Sequence, residues 1–600
     1  MGEAPMNEAV HYRVELADPS GHLLRVRLTI ADPDPAGQRL SLPAWIPGSY
    51  MIRDFARNIV AIEARSGGRQ VALEKLDKQS WRCAPTRRGA LEVDCDIYAW
   101  DLSVRAAHFD HSHAFFNGTS VFLQVHGHEQ RECLVTLVAP DWPGAEGWKV
   151  ATALAEARGR PGAARRHGFG VYRAADYDEL IDHPVEIGSF ARARFQAGGV
   201  SHEVVVTGSH DGDLDRLGAD LSRICEWQIE LFGKPAPMKR YLFLTMVVGD
   251  GYGGLEHRAS TALLACRSDL PYTGMGKSHD GYKRFLGLCS HEYFHSWNVK
   301  RIRPAAFTPY DLSREVHTSL LWAFEGITSY YDDLALTRSG VLSPADYLEQ
   351  LGRTIAGVLR APGRLRQSLA DSSFDAWTKY YRQDENAPNA IVSYYAKGAL
   401  VALATDLKLR AASEGRRSLD DVMRLLWQRH GSGGGGVEED GVFAAVAEVG
   451  GSALGRWLRQ TVEGTGELAL ARWLKPFGIE LEQQAEDVPS LGVRLATGGR
   501  RARLSSVLSG GAAHRAGLSA ADELVAIDGL RVDRDALDGM LRRHRAGDRL
   551  VVHAFRRDEL RRFEVVLDPP ALKAVRLRGD TRASAAQRRL QAGWLGATVG

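Results

Sequence analysis

The segment that most constrains this chain runs from Gly281 to Pro304 and contains a His-Glu-x-x-His pattern at His291, Glu292 and His295. On an α-helix, residues i and i+4 lie on one face a turn apart, so both imidazoles can reach one cation. Glu292 points about 100° away around the helix and can lie beside a metal-bound water rather than on the metal. The pattern predicts a zinc hydrolase with two imidazole ligands, an open coordination position and a carboxylate base.

A pattern with three fixed positions also arises by chance in a chain with 20 histidines, where it usually marks only a solvated helix face. The neighbouring residues favour the metal site, because polar side chains in a mostly buried helix need partners. The apolar neighbours along this predicted helix are Phe285, Leu286, Leu288, Cys289 and Phe294.

Length and composition exclude several classes of protein. A chain of 600 residues is too long for one hydrophobic core, so we expect several domains. The net charge of +2 argues against nucleic acid or an anionic membrane as the main partner. We expect no membrane span, since no apolar run approaches ~20 residues, and no secretory signal at the N-terminus.

The six cysteines have no short repeated spacing, which fits free thiols in a reducing cytoplasm. We therefore expect the protein to be cytoplasmic.

Residues 1–195 are predicted to form an N-terminal β-domain, because segments of strand length alternate or run apolar between Asp, Pro and Gly turns. These segments are 11–18, 23–32, 91–100, 120–125 and 132–140. Two other segments, 45–54 and 108–118, are rich in functional side chains. His108, His111 and His113 could form a second metal site, but histidines in a polar turn are commonly exposed or hydrogen-bonded. We expect both segments to be loops bordering an active site.

Residues 196–480 are predicted to form a mixed domain, with a sheet up to about 275 and helices after it. The expected strands are 202–208, 240–248 and 261–265, and the expected helices are 213–232, 313–338, 344–361 and 396–430. Residues 486–570 form a separate unit of strands and turns, and residues 571–600 form a basic tail. The overall fold class is therefore α+β and multidomain.

A catalytic zinc needs a third protein ligand, and two downstream acids compete for this role. Glu315 follows His295 by 20 residues and would lie near a helix start, where an acid also serves the helix dipole. Glu325 follows His295 by 30 residues and lies in mid-helix among apolar side chains, where a carboxylate is costly unless it is paired or bound to metal. We favour Glu325.

Three motifs occur in the order GGLEH, HEYFHSWNVKRIRP and LWAFEGITSYYDD, followed by the terminal unit. Together they resemble the glycyl aminopeptidase family of zinc peptidases, which are thermolysin-like gluzincins with an N-terminal β-domain and a C-terminal PDZ domain. The resemblance implies one Zn²⁺ per chain, held by His291, His295 and Glu325, with Glu292 as general base. It also implies hydrolysis of peptides with a free N-terminus, with glycine and alanine preferred.

A wider resemblance to gluzincin aminopeptidases comes from the segment Ser393–Gly398, SYYAKG. In those enzymes a Tyr-x-Lys-Gly element supplies a tyrosine that stabilises the oxyanion, and this role maps onto Tyr395. A buried aromatic residue at a helix start is the structural alternative for Tyr395, and Tyr394 is the second candidate for the role.

The GGLEH segment resembles the exopeptidase loop of the same wider group. On this mapping Gly253 and Gly254 line the cleft and pair with the peptide backbone, and Glu256 binds the free α-amine. His257 stands where the wider group has asparagine.

Residues 486–570 resemble a PDZ domain, in which a Gly-Leu-Gly-Phe loop captures a C-terminal carboxylate. This chain has Ser490-Leu491-Gly492-Val493 there, so a peptide ligand and a purely structural role both stay open. Two alternative functions also stay open. One is a zinc endopeptidase with the same metal site, and the other is a catalytically silent, PDZ-containing protein that only binds peptides.

Overall fold

The computed structural model of the chain describes residues 9–86, 89–431, 433 and 435–598. The first eight residues, which bear on the expectation of no secretory signal, lie outside the described residues. The chain divides into two compact units, Met1–Val316 with His430–Gly436, and His317–Arg429 with Val437–Gly600. Among the helices that the structure describes, none is long and apolar enough to cross a membrane.

The first part of the first unit is rich in β-structure. Its largest sheet has the spatial order Ala155–Glu156, Gly170–Ala174, Cys133–Leu137, Val10–Asp18, Leu23–Ile30, Leu91–Tyr98, Ile59–Ser66, Arg69–Val71. Two smaller sheets have the orders Lys149–Thr152, Val185–Gly188, His113–Phe116, Ala107–Phe109 and Gln124–Val125, Arg39–Ser41, Ser80–Cys83, Leu73–Lys75. Helical turns occur at Phe55–Asn58, Gly118–Ser120 and Tyr177–Ile181. The alternating burial of the long strands agrees with their sequence pattern.

The prediction of a strand at 120–125 is wrong for most of its length, because only Gln124–Val125 pair with a neighbouring strand. The hydroxyl of Tyr177 donates to the carbonyl of Phe122, and the hydroxyl of Tyr12 donates to the carbonyl of Leu123, each at 2.7 Å. These carbonyls are therefore satisfied by buried tyrosines rather than by a strand ladder.

A mixed sheet follows in the same unit. Its spatial order is Phe190–Ala197, Val200–Thr207, Arg240–Val248, Ser260–Cys266, Gly253–Glu256. Arg240–Val248 is parallel to both of its neighbours and is nearly continuously buried, as the unbroken apolar run predicts. Gly253–Glu256 is an edge strand, antiparallel to Ser260–Cys266. One side of this sheet shares its apolar core with the β-rich part of the unit.

Two helices of the first unit belong with this sheet, Leu214–Phe232 and Asp280–Phe294. The side chain of Asp213 accepts a hydrogen bond from the backbone N–H of Arg216 and so caps the first helix. The ring of His279 accepts from the backbone N–H of Tyr282 and caps the second helix. Short 3₁₀ turns lie at Arg267–Asp269 and Ala305–Phe307.

The second unit is mainly helical. Its helices are Ile327–Arg338, Pro344–Leu359, Leu369–Phe374, Ala387–Ala390, Ala396–Ala412, Leu419–His430, Gly441–Gly450, Ser452–Glu463 and Leu470–Leu474, with helical turns at Trp322–Gly326, Pro362–Leu365, Ala376–Tyr380 and Lys475–Phe477. The predicted helix 313–338 is wrong at its start, because residues 313–320 are not helical. The helix instead enters through the π-helical turn Trp322–Gly326.

The C-terminal part of the second unit contains a small module with its own apolar core. Its strands are Val493–Leu495, Ala502–Val507, Glu523–Ile527, Leu530–Arg531, Arg549–Arg556 and Glu559–Val566, and its helices are Ala512–Arg515 and Leu537–Leu541. Ile479–Ala485 enters this module and Leu572–Gly579 leaves it, and the two strands pair antiparallel. The chain then forms the helix Ala585–Leu595.

Candidate metal centre and peptide site

The two histidines of the His-Glu-x-x-His pattern lie together at the end of the helix Asp280–Phe294, which we call the HExxH helix. The rings of His291 and His295 have centroids 4.6 Å apart and meet edge to face at 85°. His291 is half-buried and His295 is 1 % exposed. The helical spacing therefore brings two imidazoles together as the sequence predicts.

A backbone carbonyl fixes the ring of His295. Its Nδ1 lies 2.7 Å from the carbonyl oxygen of Asn298, so Nδ1 carries the proton and donates it. In the neutral ring Nε2 then carries no proton, which is the protonation state of a histidine nitrogen that binds metal. The turn that follows the helix thus fixes the tautomer of His295.

The carboxylate of Glu292 lies against a glycine of the edge strand. Glu292 is 5 % exposed, and a Cβ placed on Gly254 would lie 2.8 Å from Cγ of Glu292 and closer still to its carboxylate. Single oxygen or nitrogen atoms of Glu256, Glu292 and His295 all lie within 4.8 Å of one another. The absence of a side chain at Gly254 therefore lets the glutamate of the HExxH helix reach the edge strand.

Glu256, the last residue of the edge strand, is buried beneath a loop of the β-rich part. A Cβ placed on Gly48 would lie 2.5 Å from Oε1 and 2.6 Å from Cδ of Glu256. The φ of Gly48 is 95°, a conformation that L-residues with side chains rarely adopt. The loop 45–54 therefore contributes Gly48 to the surroundings of Glu256, in agreement with the expectation that this segment borders the site.

A charged network lies buried next to Glu256. Nζ of Lys300 is 2.7 Å from Asp182, and Nδ1 of His257 is 3.4 Å from the same carboxylate. Burial lowers the pKa of Lys300, but the carboxylates of Asp182 and Glu256 outweigh this effect and raise it above its usual value. Burial lowers the pKa of His257, and Asp182 only partly offsets this effect. Lys300 is therefore charged and His257 neutral at pH 7.

In the second unit, Glu325 lies in the π-helical turn Trp322–Gly326 and is 2 % exposed. Single π turns occur mostly inside α-helices and frequently at functional sites. Glu315 belongs to the first unit and lies in an irregular segment, where it is half-buried. The helix-dipole role considered for Glu315 is therefore excluded, because no helix starts there.

Tyr395 lies in a cluster of tyrosines beside Glu325. Its ring stacks on those of Tyr380 and Tyr394, and its hydroxyl is 3.4 Å from the hydroxyl of Tyr381. Burial raises the pKa of Tyr395 well above 10, and the charge of Glu325 raises it further. Tyr395 is half-buried, whereas Tyr394 is fully buried. Tyr395 thus keeps its proton at neutral pH and is the more accessible of the two candidates.

Comparison with known proteins supports one assignment. Residues 11–189 match the peptidase M61 N-terminal domain, and residues 284–401 match M61 glycyl aminopeptidase. A crystal structure of an aminopeptidase N family protein from Idiomarina loihiensis is 41 % identical, covers 98 % of this chain and 100 % of its own, and superposes with a TM-score of 0.92. The chain belongs to the M61 glycyl aminopeptidase family.

More distant proteins add little to this assignment. An M1 zinc metallopeptidase from Deinococcus radiodurans, in a variant form bound to a Tyr-Ser-Ala substrate, is 15 % identical over 77 % of this chain and 95 % of its own, with a TM-score of 0.48. This likeness is too low to bear on function. No curated protein has significant similarity to the chain.

Membership of the M61 family confirms the predicted family and makes the chain a zinc metallopeptidase. The mixed α/β multidomain architecture, with a β-rich N-terminal part and a helical part, is confirmed as well. Four residues that the structure places beside Glu256 or Tyr395 were not predicted from the sequence: Gly48, Asp182, Lys300 and Tyr381. Lys300 and Gly48 lie in segments that the sequence singled out, but nothing in their residue types revealed a neighbour.

Proposed function

We propose that this chain is a zinc aminopeptidase that removes N-terminal residues, with glycine and alanine preferred, from peptides with a free N-terminus. The observation that carries the proposal is the edge-to-face pair of His291 and His295, 4.6 Å apart, with the buried carboxylate of Glu292 reaching the edge strand. A metal-binding face and a strand able to hold a peptide thus occur within one unit.

The zinc ion of this site would be held by His291, His295 and Glu325, one ion per site. The donor set fits zinc, which takes imidazole nitrogens and carboxylate oxygens with one position left open. The carbonyl of Asn298 holds the proton of the neutral His295 ring on Nδ1, and Glu325 is a carboxylate buried in a π-helical turn. When bound, zinc supplies a Lewis acid that makes a water nucleophilic at neutral pH and polarises a carbonyl group.

Glu292 serves as the general base in this proposal. It accepts the proton of the attacking water at a carboxylate oxygen and returns it to the amine that leaves. Its burial and its contact with Gly254 hold the carboxylate in one place, which favours proton transfer over a fixed short path.

Tyr395 stabilises the oxyanion by donating its hydroxyl hydrogen. The raised pKa supports this role, because only the protonated phenol can donate. Tyr394 is the second candidate, and its full burial is an argument against it.

The edge strand Gly253–Glu256 binds the substrate backbone in the manner of strand addition. Gly253 and Gly254 let the peptide approach closely, and Glu256 forms an ion pair with the α-ammonium group. His257 is neutral and buried, and it contributes by contacting Asp182 rather than by carrying a charge.

A zinc endopeptidase would use the same residues except Glu256, so the role of Glu256 separates the two activities. We expect glycyl and alanyl anilides to be cleaved and their N-acetylated forms to survive. Glu256→Gln should weaken cleavage of the free-amine substrates and leave zinc content unchanged. Equal cleavage of blocked and free substrates would instead indicate an endopeptidase.

The module at 486–570 is proposed to be a PDZ domain that takes a peptide C-terminus. On this proposal the segment Ser490–Val493 corresponds to the carboxylate-binding loop, and the hydroxyl of Ser490 accepts from the N–H of Gly492 at 3.0 Å. The amide of Asn389 donates to the carbonyl of Val507 at 2.8 Å and accepts from the N–H of Ser509. These bonds attach the module to the helical part of the second unit. They favour a structural role for the module, with or without a role in peptide binding.

One experiment tests the enzymatic proposal against the catalytically silent alternative. Hydrolysis of alanine p-nitroanilide is measured for the wild type, for chelator-treated protein and for Glu292→Gln, with zinc content determined for each. We expect activity to be lost on chelation and restored by Zn²⁺, and lost in Glu292→Gln with zinc retained. Near-native turnover by Glu292→Gln would show that Glu292 is not the base.

A further inference from the structure

The turn at 108–113 in the β-rich part brings together imidazoles and carboxylates that are remote in sequence from the HExxH helix. His108 and His113 lie on paired antiparallel strands, Ala107–Phe109 and His113–Phe116, and their rings stack with centroids 5.0 Å apart. They are 5 % and 2 % exposed. The sequence leads us to expect histidines that are exposed or hydrogen-bonded in this polar turn, and the structure exposes His111 and buries the other two against carboxylates.

Two carboxylates face these rings. Oδ2 of Asp110 lies 3.4 Å from Nε2 of His108, and Oε1 of Glu186 lies 3.1 Å from Nδ1 of His113. His108, Asp110 and His113 each offer one possible ligand atom, and these three atoms all lie within 4.8 Å of one another. Ligand atoms of a tetrahedral zinc with bonds of about 2.0–2.1 Å lie ~3.3 Å apart. The separation of 3.4 Å between Asp110 and His108 matches an edge of such a tetrahedron, and it is long for a charge-assisted hydrogen bond, which is typically about 2.7–2.9 Å.

The turn itself orients Asp110. Its other oxygen, Oδ1, accepts from the backbone N–H of Ser112 at 2.6 Å, from the hydroxyl of Ser112 at 2.5 Å and from the N–H of His113 at 3.2 Å. These bonds direct Oδ2 towards His108, as hydrogen bonds commonly direct metal-binding carboxylates.

One buried nitrogen of each ring lacks a hydrogen-bond partner. Nδ1 of His108 and Nε2 of His113 have none in the part of the chain that the structure describes. Unsatisfied buried polar atoms are costly in native proteins. Because Nδ1 of His113 faces Glu186, Nε2 is the nitrogen left for a metal ion, as in sites where a ligating histidine donates its other N–H to a carboxylate.

We propose that His108, Asp110 and His113 form a second divalent transition-metal site, distinct from the one on the HExxH helix, with Glu186 orienting the ring of His113. Two imidazoles and a carboxylate are donors that Zn²⁺ prefers. The ion joins the paired strands Ala107–Phe109 and His113–Phe116. Its role is structural, and the proposal does not depend on the peptidase reaction.

The test is a count of metal ions on the full-length protein. Zinc is measured by mass spectrometry after dialysis against metal-free buffer, for the wild type and for His295→Ala, Asp110→Asn, His113→Gln and His111→Ala. We expect two ions in the wild type, and one in each of His295→Ala, Asp110→Asn and His113→Gln. His111→Ala is the matched control, because His111 is an exposed histidine of the same turn, and it should keep two ions.

A second measurement covers the case in which a variant fails to fold. Cobalt added to His295→Ala protein should give visible d–d absorption from the remaining site, and the double variant His295→Ala with Asp110→Asn should lose it. The asparagine retains an oxygen that can accept the bonds from Ser112, so the turn is preserved. A wild type with one ion that His295→Ala removes, or two ions retained in Asp110→Asn and His113→Gln, would overturn the proposal.

Discussion

Gly326 and Gly398 meet backbone to backbone, since a Cβ on Gly326 would lie 2.6 Å from Cα of Gly398, and a Cβ on Gly398 would lie 2.9 Å from Cα of Gly326. Gly326 directly follows Glu325, and Gly398 lies shortly after Tyr395. The close approach of the two segments is therefore what makes Glu325 and Tyr395 neighbours, and it depends on both glycines.

The first prediction concerns this contact. Gly398→Ala should destabilise the protein by about 1–3 kcal/mol, because the new methyl group meets backbone atoms that cannot rotate away. It should also lower kcat by displacing Tyr395. Urea unfolding and anilide hydrolysis measure the two effects. Gly357→Ala is the control, since a Cβ there meets no atom within 4 Å and alanine favours the helix. Equal stability of the two variants would contradict the prediction.

The second prediction concerns Gly254. Gly254→Ala places a methyl group where the carboxylate of Glu292 lies, so we expect kcat to fall on the order of 10²-fold from misplacement of the base. Zinc content should not change. Gly249→Ala, in the turn before the same strand, meets no atom within 4 Å and should keep wild-type kinetics. Full activity of Gly254→Ala would mean that the contact does not position the base.

The third prediction separates the two tyrosines. Tyr395→Phe should lower kcat by ~10²–10³-fold with zinc retained, the usual effect of removing one oxyanion donor. Tyr394→Phe should change kcat much less, because that side chain is fully buried. The opposite ranking of the two variants would assign the role to Tyr394.

The fourth prediction concerns the pH dependence of the free energy of unfolding. Burial lowers the pKa of His202 to about 4, and its Nε2 lies 2.9 Å from the hydroxyl of Tyr293 on the HExxH helix. In the unfolded chain a histidine has a pKa near ~6.5, so as pH falls from about 6.5 to 4 the unfolded state takes up a proton that the folded state does not. The free energy of unfolding should therefore fall by ~3 kcal/mol from this residue over that window.

This contribution is measured as a difference between proteins, because carboxylates also add to acid destabilisation. His202→Gln should be less stable than the wild type at pH 7 but lose less stability between pH 7 and pH 4. His111→Gln, at an exposed position, should follow the wild-type profile. Parallel profiles for the wild type and His202→Gln would exclude the effect.

The fifth prediction concerns the C-terminal helix. Trp594 is fully buried, its Nε1 donates to the hydroxyl of Tyr330 at 3.1 Å, and its carbonyl accepts from Nε of Arg338 at 2.7 Å. Trp594→Ala should cost about 3–5 kcal/mol of unfolding free energy. Arg589→Ala, on the same helix and exposed, should cost less than 1 kcal/mol by the usual behaviour of surface positions. A thermal midpoint unchanged by Trp594→Ala would show that the helix is not part of the folded unit.

Strands and helices are predicted well where the sequence pattern allows only one interpretation. Arg240–Val248 agrees residue for residue with the structure, because a continuous apolar run bounded by turns has few alternatives. The pairing of His291 with His295 follows from helical spacing alone.

Contacts between segments distant in sequence could not be predicted in the same way. Gly48 and Glu256 come together through the packing of a loop on a sheet edge, and no local pattern encodes that meeting. Trp594 lies in a segment that the sequence presents as a basic tail, because arginines dominate its charge and the helix gains its stability from tertiary contacts. The helix before Glu325 starts later than predicted, because the hydroxyl of Thr318 and the backbone N–H of Ser319 donate to the carboxylate of Glu439, a tertiary contact that no local pattern encodes.

The position of Gly48 over Glu256 has a consequence for how such chains can be divided. Every proposed zinc ligand follows Phe190 in the chain, whereas Gly48 forms one wall around the carboxylate that we propose to bind the α-ammonium group. Exchange of the N-terminal domain between related enzymes should therefore alter the discrimination between free and blocked N-termini, while the proposed zinc ligands stay in place.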